Sequence, residues 1–122
     1  GAAVSPSLAG FVSARLDERE ALALAARDRW DDEDARYEWE DLPDEVFAHA
    51  RSNDPSWVLR DVAAKRAILA RHHDDGHGYC AAGPWGEISG DPQYEISDCP
   101  ELRDLAAIDS AHPGYDPGWA VP

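Results

Sequence analysis

At 122 residues the chain is long enough for one domain with a real but modest core. Acidic residues outnumber basic ones 25 to 11, for a formal net charge of −14, which argues against direct nucleic-acid binding because that work needs a basic face. No apolar run approaches the roughly 20 residues of a membrane span, and no charged n-region precedes a long apolar stretch, so neither a membrane nor an export signal is expected.

The expectation is therefore one cytoplasmic domain over residues 1–122, with residues 1–4 read as a cloning remnant and 113–122 as a Pro/Gly-rich tail. Two cysteines in a reducing compartment favour metal binding or free thiols over a structural disulfide.

Ser5-Pro6 predicts a helix start, with Ser as N-cap and Pro in the first turn. Leu8, Phe11, Val12, Leu16, Leu22, Ala26 and Trp30 recur at spacings near three and four, which predicts one long amphipathic helix ending near Asp31. Residues 17 to 45 hold 13 of the 25 acidic side chains, and the run Asp31-Asp32-Glu33-Asp34 marks a turn out of that helix.

Pro43-Asp44-Glu45 opens a short second helix through Ala50. Asp54-Pro55 repeats the cap-then-proline signal, and Val58, Leu59, Val62, Ala63, Arg66 and Leu69 form the stripe of a central helix over 55–72. That helix is basic, and its charge complements an antiparallel, acidic first helix. Rim contacts of this kind are worth only about 0–1 kcal/mol each, so the packing must rest on the apolar stripes.

Seven glycines and prolines between residues 74 and 98 exclude a helix there. Trp85-Gly-Glu-Ile and Gln-Tyr94-Glu-Ile96, flanking Gly90-Asp91-Pro92, allow a loop or a small hairpin. A last helix is predicted from Pro100 to about Ala111, stopped by Pro113. After it Tyr115 and Trp119 must either dock on the body or hang loose. The predicted class is thus mainly α, a small helical domain with a long N-terminal helix antiparallel to the central one and a C-terminal helix closing the core.

His72, His73, His77 and Cys80 crowd together after the central helix, and Cys99 stands just before Pro100 as N-cap of the last helix. Thiolates and imidazoles on loops beside helix ends are the donors that zinc takes in fours. The residues chosen for such a site are His72, His77, Cys80 and Cys99, with His77 as the fourth ligand on its glycine-flanked loop. At Cys99 the free amides and the helix dipole are expected to favour the thiolate. A Cys80–Cys99 disulfide and two free buried thiols remain as alternatives for the same corner.

Hydrolytic signatures are absent: there is no G-x-S-x-G elbow and no H-E-x-x-H. Cys80 with His77 is the nearest thing to a nucleophile–base pair, and sequence alone supplies no third member.

Three stretches carry a resemblance. Asp54-Pro-Ser-Trp-Val-Leu-Arg-Asp-Val-Ala-Ala-Lys-Arg-Ala-Ile-Leu, Cys99-Pro-Glu-Leu-Arg-Asp-Leu-Ala running on to His112-Pro-Gly-Tyr, and Phe11-Val-Ser-Ala-Arg-Leu-Asp-Glu-Arg-Glu are similar to a family of small uncharacterised actinobacterial and phage proteins. The resemblance covers both ends and the central helix, and less of residues 31–48 and 74–97. It implies a His at the position of His72, a C-x-x-C beginning at Cys80 and the Cys-Pro of Cys99, hence a His-Cys-Cys-Cys site. This chain departs from that pattern at Gly83, which leaves three such ligands and makes His77 or His73 the fourth. The family carries no activity to transfer.

The functional expectation is a small acidic interaction or regulatory protein without catalysis of its own, zinc-stabilised, with a protein partner of basic surface. Two alternatives stand beside it. One is an acidic mimic of nucleic acid that occupies the site of a basic enzyme, motivated by the acidic stretch in 17–45. The other is a metal-dependent enzyme, which needs an open coordination position and a nearby general base.

Overall fold

The computed structural model describes residues 7–30, 41–81 and 94–120. In chain order its elements are helices α1 (Leu8–Trp30), α2 (Asp44–Ser52) and α3 (Pro55–Arg71), a 3-10 turn at Ile96–Asp98, helix α4 (Pro100–Ala107) and a second 3-10 turn at Pro117–Trp119. The class is mainly α, as the sequence predicts. Isolated bridges pair Asp74 with Cys80 and Tyr79 with Glu95, and no longer ladder occurs among the described residues. The predicted Ser5-Pro6 start, the acidic run 31–34 and most of the hairpin around Gly90 lie outside the described residues. No described helix is long and apolar enough to cross a membrane.

Ser7 caps α1: its Oγ accepts the Gly10 amide at 3.0 Å, and its carbonyl accepts the Phe11 amide at 2.8 Å. Leu8, Phe11, Val12, Leu16 and Ala23 are buried along α1, whereas Leu22 is 71% exposed. Helical period alone does not separate these two: at about 100° per residue Leu22 lies about 20° from Phe11 and Ala23 about 20° from Leu16, and beyond Leu16 only the Ala23 edge of the stripe is covered.

Helix α2 buries none of its side chains. At α3 the cap is the one the sequence predicts, with Asp54 Oδ1 accepting the Trp57 amide at 2.8 Å. Pro55 and Val62 are buried seven residues apart, with Val58, Leu59, Arg66 and Leu69 half-buried on the same side. Ala63 and Trp57 fall on the exposed side. Asp54→Ala is expected to lower the unfolding free energy by about 1 kcal/mol, read in urea melts, because an orphaned amide loses its acceptor. An unchanged midpoint would mean that water replaces the cap without cost.

Helix α4 ends at Ala107 rather than the predicted Ala111. The chain continues in tighter turns, with Asp109 and Ser110 amides bonded to the Ala106 and Ala107 carbonyls at 2.9 and 3.1 Å. Leu102 and Ala106, four residues apart, are fully buried.

The chain divides into two compact units. One comprises Leu16–Ala64, in which the C-terminal half of α1 and the start of α3 line a pocket of about 410 Å³ through Arg19, Leu22, Ala26, Arg29, Pro55 and Val58. The other joins Gly1–Arg15 to Lys65–Pro122. In it Leu8 and Gly10 at the start of α1 line a pocket with Leu69 and His72 at the end of α3. In each unit the start of one helix meets the end of the other, which is the antiparallel arrangement expected.

The Pro/Gly-rich tail is docked within its unit. Arg103 donates from Nε to the Trp119 carbonyl and from Nη2 to the Gly118 carbonyl, each at 3.1 Å. Phe11 then sits against His112, Tyr115 and Trp119, with ring centroids 5.6, 6.0 and 5.1 Å away. Edge-on and tilted ring contacts of this kind suit the aromatic quadrupole. Arg15 adds its guanidinium 5.2 Å above the Phe11 ring and also contacts the His112 imidazole.

Candidate metal centre

The unit containing α4 brings three sequence-predicted donors together. His72 leaves the end of α3, where its amide is held by the Ile68 and Leu69 carbonyls at 3.2 and 3.1 Å. The two aspartates that follow organise the return of the chain. Asp74 Oδ1 accepts the Gly76 and Gly78 amides at 2.8 and 2.9 Å, and Asp75 Oδ1 accepts those of His77 and Tyr79 at 2.7 and 3.3 Å. Gly76 and Gly78 adopt φ of +96° and +86°, a left-handed region that side chains rarely enter.

This tight turn delivers Cys80 beside the helix end, where its amide is bonded to the Tyr94 carbonyl at 2.8 Å. Cys99 arrives from the other direction, at the N-cap of α4. Both cysteines are 1% exposed and unbonded to each other.

His72 Nδ1 stands 3.3 Å from each sulfur, and the three donor atoms all lie within 4.8 Å of one another. A tetrahedral zinc has legs of about 2.3 Å to sulfur and 2.0–2.1 Å to nitrogen, so its donors stand about 3.5–3.8 Å apart. The observed nitrogen–sulfur spacings of 3.3 Å are slightly shorter than that, so a metal would push the donors apart by a few tenths of an ångström. Two thiols and an imidazole form a borderline-soft donor set of the kind zinc prefers, and together they could hold a metal.

His77, the expected fourth ligand, is exposed on the turn and outside this cluster. The physical reason lies in Asp75, whose carboxylate takes the His77 amide and fixes that stretch as a turn. The other alternative, His73, is exposed and spends Nδ1 on the Ala70 carbonyl at 2.8 Å, finishing the hydrogen bonding of α3.

The thiolate expected at Cys99 is also corrected. Burial pushes its pKa up to about 11, and the neighbouring Cys80 adds to the rise, while the Leu102 and Glu101 amides pull the other way and lose. Without a metal, then, Cys99 is a neutral thiol at pH 7, and a dication would have to expel its proton. Apparent zinc affinity is accordingly expected to rise at least about tenfold per pH unit from pH 6 to 8. Isothermal titration across that range would show it, and a flat profile would count against thiolate ligation.

Three contributors escaped the sequence reading. Asp74 and Asp75 shape the turn, and the aspartate-before-glycine spacing that marks such side-chain-to-amide turns was available as a signal. Glu101, two residues after Cys99, was hidden among 25 acidic residues. Its Oε2 lies 3.6 Å from Cys99 Sγ and 3.9 Å from His72 Nδ1.

Comparison with known proteins agrees with the resemblance seen in the helices. The model of a family of unknown function, DUF6221, matches residues 5–121. No curated protein and no solved structure matches the chain.

Proposed function

The chain belongs to that family of unknown function, and from its own residues we propose a small, non-catalytic interaction or regulatory protein whose fold is fastened by one zinc ion. The convergence of His72, Cys80 and Cys99 carries this reading. The three donors come from the end of one helix, a turn and the start of another helix, so a metal between them fixes how those segments meet. Their burial fits a structural role, and thiol ligands of this kind fit a reducing, cytoplasmic setting.

The interaction half of the proposal draws on the surface. A net charge of −14 suits a partner with a basic face and speeds its encounter at low salt. Leu22, Leu24, Val46 and Trp57, all within Leu16–Ala64, expose 71%, 43%, 46% and 43% of their surface, which gives that unit apolar area to bury.

Thermal melts with and without a strong chelator test the fastening. The zinc-loaded protein should melt about 10 °C or more above the stripped one, since a ligand at 100 times its Kd adds about 2.7 kcal/mol. Restored zinc should restore the melt. Identical melts in both buffers would remove the metal from the account.

A further inference from the structure

We propose that Glu101 is the fourth ligand of this centre, making it a His-Cys-Cys-Glu site closed by a carboxylate. This rests on the reading of His72, Cys80 and Cys99 as a metal site. Glu101 stands outside the group that His72, Cys80 and Cys99 form, and its distances to two of those three carry the assignment. A zinc–oxygen leg of about 2.0–2.2 Å puts a carboxylate oxygen about 3.6 Å from a ligating sulfur and about 3.4 Å from a ligating nitrogen. Glu101 Oε2 stands 3.6 Å from Cys99 Sγ and 3.9 Å from His72 Nδ1, and a swing of this exposed side chain toward Cys80 would bring it onto the fourth corner.

The chain enforces that placement. Cys99 is the N-cap of α4 and Pro100 its first residue, which fixes the backbone between sulfur and carboxylate. In the absence of metal the Cys99 thiol donates to Oε2 across that 3.6 Å gap. An ion that replaces the thiol proton finds both atoms facing it.

The partners differ in accessibility. The cysteines are buried and the His72 side chain is 12% exposed, whereas that of Glu101 is 56% exposed. The centre is thus sealed on three sides by the fold, and on the solvent side by one flexible carboxylate. That last ligand is what separates a closed structural site from the open, water-bearing kind that supports catalysis.

Cobalt(II) titration of the purified protein tests the assignment, because four-coordinate cobalt gives intense visible bands that respond to each ligand. Wild type is expected to bind one cobalt with tetrahedral bands that added azide leaves unchanged. Glu101→Gln should bind at least about tenfold more weakly, and its bands should shift on addition of azide, which enters the vacated corner. Asp104→Asn removes an exposed carboxylate from the same helix and controls for the general loss of negative charge. Melts of the metal-free variants check that each still folds.

If Glu101→Gln keeps wild-type affinity and bands, Glu101 is no ligand, while the three-residue site stands. Equal weakening in Glu101→Gln and Asp104→Asn would likewise overturn it, as a through-space charge effect. If wild type binds no cobalt, the site itself falls, and the role of Glu101 with it.

Discussion

Cys99→Ala is expected to lower the melting temperature by about 10 °C or more in zinc-containing buffer, and by only a few degrees once zinc is removed. The side chain itself is small, and deleting one buried sulfur costs on the order of 1 kcal/mol. The larger part of the loss belongs to the metal. On the proposed reading, zinc would bind only the folded arrangement of His72, Cys80 and Cys99, and its binding free energy would add to folding until a ligand is removed. Comparing wild type and variant with and without a chelator isolates that coupled part. A gap between the two proteins that is equally large in both buffers would assign Cys99 to packing alone.

Phe11→Ala is expected to cost about 3–5 kcal/mol, the range for removing a large buried aromatic. Phe11 is 2% exposed and is the ring that His112, Tyr115 and Trp119 share. Its loss therefore opens a cavity and also removes the surface on which the tail is seated. The two Arg103 bonds to the Gly118 and Trp119 carbonyls then hold the tail without its apolar support. Denaturant melts should show the loss of stability, and limited proteolysis should show earlier cleavage after Pro113. A variant that is destabilised while its tail stays protected would mean that Tyr115 and Trp119 pack without Phe11.

The helices were readable because their signals are local. Asp54-Pro55 specifies a cap and a first turn within two residues, and the structure places the Trp57 amide on that aspartate. The α1 stripe was readable as far as Leu16. Beyond it two candidate faces overlap, one through Leu22 and one through Ala23, and hydrophobicity alone favours the leucine. Both lie within about 60° of Leu8, and the structure buries the alanine because of what packs on that edge, which the period does not encode.

The metal corner was half readable. His72, Cys80 and Cys99 stood out because the chain has only two cysteines and three histidines crowd just before the first of them, and the segments bearing them had recognisable ends. His77 lies exposed and outside the three-residue group, because proximity in sequence says little inside a turn, where the backbone reverses within a few residues. Asp74 and Asp75 decide where that turn points, through bonds between side-chain oxygens and amides. Glu101 could not be singled out, since one carboxylate among 25 looks like solubility until its distance to a sulfur is known.

The central claim is that His72, Cys80 and Cys99 hold zinc, and elemental analysis of the protein purified without added metal tests it most directly. One zinc per chain is predicted, retained through gel filtration and lost when Cys80 and Cys99 are both replaced by Ser. A metal-free protein that takes up no zinc, with Cys80 and Cys99 recovered either as two thiols or as a disulfide, would contradict it.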